Sequence, residues 1–307
     1  MTIQIKWEQA LIEESVFLVI KLAEETGETA LAARFHDGIN HVYDQFTGET
    51  RESALGKFYE DSFHQLGLAA IFENVVREFP LIVRARIPIS VRRVWDRKLE
   101  GAELYVRDED KMVLVGIQTV RLLDRKLLTS FLRHELMHVS DMLDPVFQYQ
   151  PDSKLGGINR IEDDLIRRRF QLLWNLYVSI RILKMGHVPF LAAEQLKTRL
   201  TASFPLMDQS AQEDKLDQVL GRENVTQEEL LALARGERSH RLIGEGGHLC
   251  PLCGFTSFDR VDYAKLENRS VAQTIQTERP DWTPSLSSCR QCLELYQTQN
   301  YAGVYGH

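Results

Sequence analysis

Asp124-Arg125-Lys126-Leu127-Leu128-Thr129-Ser130-Phe131-Leu132-Arg133-His134-Glu135-Leu136-Met137-His138-Val139-Ser140-Asp141-Met142-Leu143-Asp144 reads as one amphipathic helix. At 100° per residue, Leu128, Phe131, Leu132, Leu136, Val139, Met142 and Leu143 gather on one broad apolar face. Asp124 is a suitable N-cap and Pro145 stops the helix. His134 and His138 are four residues apart and stack one turn above the other. Their stripe falls roughly 100–140° from the centre of the apolar face, the position of a cleft wall. Two imidazoles so placed can bind one Zn²⁺ at about 2.0–2.1 Å each. Glu135 follows the first histidine and can act as general base on a zinc-activated water.

Working outward, the spacing predicts helices over 7–25, 29–45 and 52–78, the last stopped at Pro80. Val83, Ala85 and Ile87 then alternate with Arg84 and Arg86, as in a half-buried strand. Strands near 103–107 and 112–117 flank the polar turn Asp108-Glu109-Asp110-Lys111 as a hairpin. After the 124–143 helix and an irregular stretch holding Gly156-Gly157, a long helix is predicted over 159–184. Shorter helices reach Gly236, one of them opened by the capping box Thr226 and Glu229. From Gly244 the composition shifts to glycine, cysteine, serine and threonine. The expected organisation is therefore α+β: a mostly helical domain over 1–200, a helical connector over 201–243 and a small C-terminal module over 244–307.

That module carries all four cysteines, as Cys250-Pro251-Leu252-Cys253-Gly254 and Cys289-Arg290-Gln291-Cys292. Two thiolates two residues apart can grip one metal, and Gly254 permits the tight turn that follows. Two such pairs complete a tetrahedral Cys₄ set, expected to hold a structural zinc. The segment resembles zinc-ribbon modules. His248 is read as a bystander, and Trp282, Tyr296 and Tyr301 as core residues.

Composition narrows the function classes. The net charge of -7 argues against a protein that coats nucleic acid. In the ribbon, Arg260, Lys265, Arg269, Arg279 and Arg290 are balanced by Asp259, Asp262, Glu267, Glu278 and Asp281, which fits a protein-contact surface better. Lys6, Glu8, Glu13 and Glu14 interrupt the first stretch, and the run from Val16 to Ile20 stops at Lys21, so no export signal or membrane span is expected. A cytoplasmic location follows from that reading. Arg84, Arg86, Arg92 and Arg93 on the strands, and Arg167-Arg168-Arg169 on the long helix, read as solvated faces.

His134-Glu135-Leu136-Met137-His138 resembles the motif of the zincin metallopeptidases, in which His-Glu-x-x-His lies on the active-site helix behind a mixed sheet. The resemblance implies His134 and His138 as zinc ligands and Glu135 as catalytic base. In the gluzincin branch the third ligand is a glutamate from a later helix, which points to Glu162, with Asp163 and Asp164 as alternatives. The acids there also suit a helix's first turn. The metzincin branch places its third ligand at Asp144, but needs a glycine where this chain has Asp141. Asp141 could instead orient a ligand. Tyr149, Tyr177 and His187 are candidates for stabilising an oxyanion. The leading expectation is a peptidase with one catalytic and one structural zinc, acting on a protein or peptide substrate. Two others stand beside it: a non-catalytic zinc protein that binds a partner, and a hydrolase of a non-peptide amide.

Overall fold

The computed structural model describes residues 4–107, 110–157, 160–203, 216–217, 220–235, 248–261 and 269–304. Asp108 and Glu109 of the expected turn, most of the 201–243 connector, and Gly244, Asp262, Lys265 and Glu267 lie outside the described residues. The chain divides into two compact units, Met1–Tyr149 with Arg181–Phe190, and Gln150–Ile180 with Leu191–His307.

In the first unit a short strand β1 (Ile5–Trp7) leads into α1 (Gln9–Thr26), α2 (Thr29–Gln45), α3 (Gly48–Gln65), α4 (Leu68–Arg77) and α5 (Pro80–Ala85). Strands β2 (Ile89–Arg93), β3 (Gly101–Arg107) and β4 (Asp110–Ile117) follow, and then α6 (Arg125–Leu143). The sheet order is β1-β2-β4-β3. β1, β2 and β4 run parallel, and β3 pairs antiparallel with β4 at one edge, with Ala102 opposite Val115. Ile89 and Val91 of β2 and Val113, Val115 and Ile117 of β4 are buried at every second position, so one face of the inner strands is core, while Ser90, Arg92 and Leu114 lie on the other. The rings of Phe63 and Phe72 stand 4.9 and 5.2 Å from Trp7 in edge contacts that close the core over β1.

Two expectations are corrected. The 83–87 stretch is not a strand. Pro80 opens α5 at its first turn, where a fixed φ and a missing N–H suit a helix, and Arg86 ends it with φ 52°. Three alternating residues do not separate the two periods, and the strand falls at 89–93 instead. The single helix expected over 52–78 is two helices, broken at Gly67, whose φ of 71° is left-handed. β1 was not anticipated, since three residues carry too little pattern.

Asp124 caps α6 as expected: its carboxylate accepts from the backbone N–H groups of Lys126 (3.0 Å) and Leu127 (2.9 Å). Asp124→Ala is therefore expected to cost about 1 kcal/mol, read as a lowered denaturant midpoint at unchanged slope.

The second unit holds most of α7 (Arg160–Lys184), α8 (Ala193–Ala202) and α9 (Gln227–Arg235). The capping box opens α9: the Glu229 N–H donates to Thr226 Oγ1 (3.2 Å) and the Thr226 N–H to Glu229 Oε2 (2.8 Å). Among the described residues of the C-terminal segment there are two short antiparallel pairs, β5 (His248–Leu249) with β6 (Thr256–Ser257), and β7 (Arg260–Val261) with β8 (Ser288–Cys289), and the helices α10 (Arg269–Glu278) and α11 (Arg290–Val304). Val271, Ile275, Trp282 and Tyr296 are packed with the four cysteines and with Leu165 of α7 in one buried cluster. Among the described residues no helix is long and apolar enough to cross a membrane.

Candidate functional site

The four cysteines converge. Their sulfurs all lie within 4.8 Å of one another and every one is buried. Cys250 Sγ stands 3.8 Å from Cys292 Sγ, and Cys253 Sγ stands 3.8 Å from Cys289 Sγ. A tetrahedron of about 2.3 Å metal–sulfur bonds sets its sulfurs about 3.8 Å apart, whereas a disulfide needs about 2.05 Å. The donor set therefore fits a four-coordinate ion such as zinc. The local chain is built for thiolates. The Cys289 N–H points at Cys250 Sγ (3.3 Å) and the Cys292 N–H at Cys289 Sγ (3.5 Å). The Gly254 N–H returns to the Cys250 carbonyl (2.8 Å), with Gly254 at φ 73°. Hydrogen bonds from the neighbouring thiols pull Cys250 well below the usual thiol range, and the same crowding pushes Cys253 and Cys292 up. A divalent cation relieves that conflict by holding all four as thiolates.

Removing such an ion is expected to loosen the core around the cysteine cluster. A chelator should lower the melting temperature and make all four thiols reactive to a thiol reagent, where the loaded protein shows none.

The histidine helix is arranged differently. His134 is buried and His138 is partly so, with their rings 4.9 Å apart and nearly perpendicular. His134 thus lies deeper than the flank position expected from helix geometry. Phe190 packs 5.5 Å from Phe131 and 6.1 Å from His134. Glu135 reaches toward the sheet edge. Its Oε2 accepts a 3.0 Å hydrogen bond from the backbone N–H of Ala102 at the start of β3. Gly101 permits the approach, because a Cβ there would come within 3.3 Å of that oxygen. Burial pushes the Glu135 carboxyl up to about 7; the Ala102 N–H opposes this, the Glu100 carboxylate adds to it and the Arg121 guanidinium also opposes it.

Behind that contact lies a buried ion pair with little signature in the residue pattern. Arg121 Nε donates to Glu100 Oε1 at 2.7 Å, and a second guanidinium nitrogen bonds the other oxygen. The Gln118 N–H donates to Glu100 Oε1 as well (3.0 Å). The guanidinium lies 4.6 Å from the Phe131 ring centre and 5.3 Å from that of Phe190. Burial works to raise the Glu100 pKa, but the Arg121 hydrogen bonds and the Gln118 N–H outweigh it and hold it below the ordinary value. A lone arginine within Val120-Arg121-Leu122-Leu123 was the available signal.

The proposed third ligands are placed as follows. Asp144 ends α6, and its Oδ1 accepts from the Val146 N–H (2.9 Å). Asp141 stays helical, is buried, and is paired with Arg181 at 2.5 Å. Glu162 and Asp163 open α7 in the second unit, Glu162 buried and Asp163 accepting from the Gly157 N–H (2.9 Å). Tyr177 is buried there too, its hydroxyl donating to the Glu223 carbonyl (2.8 Å). Among the described residues, the four cysteines are the group of three or more metal-ligating side chains whose donor atoms come together.

Comparison with protein-family models, with curated proteins and with solved structures finds no match for this chain. The functional reading therefore rests on the chemistry of these two sites.

Arg169 departs from the solvated face expected for the Arg167-Arg168-Arg169 run. Arg167 and Arg168 are exposed, but Arg169 is 4% exposed. Burial pulls its pKa down to about 10, and the sulfurs of Cys253 and Cys289 and the carboxylate of Glu162 oppose the fall.

Proposed function

We propose that the chain is a zinc-dependent hydrolase of peptide bonds, with His134 and His138 as zinc ligands, a carboxylate completing the set, and Glu135 as general base. The observation that carries this reading is the state of Glu135. It is a buried carboxyl beside a histidine pair on one helix, tethered by the Ala102 N–H. A general base must first be positioned, and this tether fixes where the carboxyl stands relative to the pair. A zinc ion at the histidines would polarise a scissile carbonyl and activate water for attack. Glu135 takes a proton from the attacking water and passes it to the leaving amine nitrogen, so the C–N bond breaks with the proton delivered to nitrogen. A peptide is favoured over another amide because β3, which anchors Glu135, is an edge strand, and edge strands recruit extended chains through their backbone. In this reading the cysteine site is structural.

A second reading, a non-catalytic zinc protein, is favoured by one observation: among the described residues only the cysteines assemble a full ligand set. Zinc content per chain separates the two. Two zincs in the wild type falling to one in a His134→Ala/His138→Ala double variant supports the hydrolase. One zinc in both proteins, lost only when a cysteine is replaced, overturns it.

A further inference from the structure

The hydrogen bond that holds Glu135 is only as well placed as the strand end that supplies it. Ala102 is the second residue of β3, and its N–H donates to Glu135 Oε2 at 3.0 Å. β3 is an edge strand, which the ladder holds from one side only. Two further features fix its start. Gly116 of β4, opposite Gly101, lets the chain entering β3 come close, since a Cβ at Gly116 would stand 2.7 Å from the Leu99 carbonyl oxygen. Glu100 then pins the same stretch through its side chain. Its Oε1 accepts from Arg121 Nε (2.7 Å) and from the Gln118 N–H (3.0 Å), and its Oε2 accepts from Arg121 Nη2.

Arg121 is itself held between elements. It lies on a short 3₁₀ turn, Thr119–Leu123, between the end of β4 and the cap of α6. Its guanidinium carbon stands 4.6 Å from the ring centre of Phe131, a buried residue one turn before Glu135 on α6. On Phe190 the corresponding distance is 5.3 Å, and that ring also packs 6.1 Å from His134. One guanidinium therefore meets the strand that offers the N–H, through Glu100, and the helix that carries the carboxyl, through Phe131.

Stability alone does not call for charges at this place. Apolar side chains of similar volume often match or exceed a buried ion pair. What the planar fork adds is direction, because two parallel N–H···O bonds fix the orientation of a carboxylate as well as its distance.

We infer that Arg121 is a positioning residue for Glu135. Through Glu100 it sets where the Ala102 N–H stands relative to α6, and so where the carboxyl is held. The consequence for catalysis rests on the hydrolase reading; the placement of the N–H does not.

The test follows the Ala102 amide in the full-length protein, by hydrogen exchange and by its ¹⁵N–¹H resonance. The proteins are the wild type, Arg121→Met, Glu100→Gln/Arg121→Met, Arg133→Met and Glu135→Ala. Glu135→Ala removes the acceptor and gives the signal of a released N–H. Arg133 makes a forked pair with Glu78 (2.7 and 2.8 Å) from the same helix, but to the end of α4, so it controls for general loosening of α6. The double variant strands no charge and supplies a folded comparison if Arg121→Met does not fold. Exchange at Ala102 is expected to quicken about tenfold or more in both Arg121 variants, with the resonance moving toward that of Glu135→Ala. Arg133→Met should keep the wild-type signal. Peptide hydrolysis should fall about 100-fold in kcat in the Arg121 variants at little-changed KM. Wild-type Ala102 behaviour in the double variant overturns the inference. Equal release in Arg133→Met also overturns it, because that pattern belongs to a loosened helix. The amide signal needs no substrate: a wild type that hydrolyses no peptide sinks the hydrolase reading, while release of Ala102 in the Arg121 variants still supports the positioning.

Discussion

Peptide hydrolysis by the Glu135→Gln variant is expected to fall by about 10²–10⁴-fold, while zinc content and melting temperature are maintained. Glutamine has the shape of glutamate, and its carbonyl can still accept the Ala102 N–H that holds Glu135 at 3.0 Å. What it lacks is a site for the proton of the attacking water. Because the carboxyl is already disfavoured as an anion by burial, replacing it with a neutral amide removes no stabilising charge. Activity and stability should therefore separate, and the measurement is a steady-state assay on a peptide library beside a thermal melt. A variant as active as the wild type would remove Glu135 from the chemistry. A variant that loses zinc or unfolds would make it a structural residue.

The Glu100–Arg121 pair is expected to give the largest change in stability. The two side chains are 3% and 7% exposed, so either charge left without the other is stranded in a poorly solvated place. Glu100→Gln or Arg121→Met should each cost about 3–5 kcal/mol, and the double variant less than the sum of the two. The pH dependence has a definite sign. The folded-state pKa of Glu100 lies below its ordinary value of 4.5. Its contribution is thus fully present above about pH 4.5 and is lost as the pH falls through the depressed folded value. Urea midpoints of wild type and Glu100→Gln should differ most at neutral pH and converge in acid. A gap that stayed constant down to pH 2 would assign the effect to packing.

Legibility in the sequence followed the strength of each local pattern. The 124–143 helix was readable because nineteen residues, a cap and a proline agree, and α6 spans Arg125–Leu143. The hairpin at β3 and β4 was readable from alternation around a polar turn. The 83–87 segment was misread because a six-residue helix beginning at Pro80 shows the same few alternating side chains as a strand. The cysteine cluster was evident because spacing alone limits what two pairs of thiols can do. Arg169 was hidden, since its exposed neighbours Arg167 and Arg168 have the same chemistry and only the fold distinguishes them. The partner of Glu135 was beyond reading in principle: it is a main-chain N–H, and every residue but proline offers one.

That last fact governs which substitutions the site can absorb. A carboxyl tethered to a backbone amide does not depend on the chemistry of the side chain at 102, so what limits Ala102 is the space around a buried side chain and not the tether. Proline alone deletes it. The neighbouring Gly101 is the opposite case, because any side chain there crowds Glu135 Oε2 directly. Across a set of natural variants the imprint of this contact would be a position held small by packing, with proline absent, beside a glycine held by the carboxyl itself.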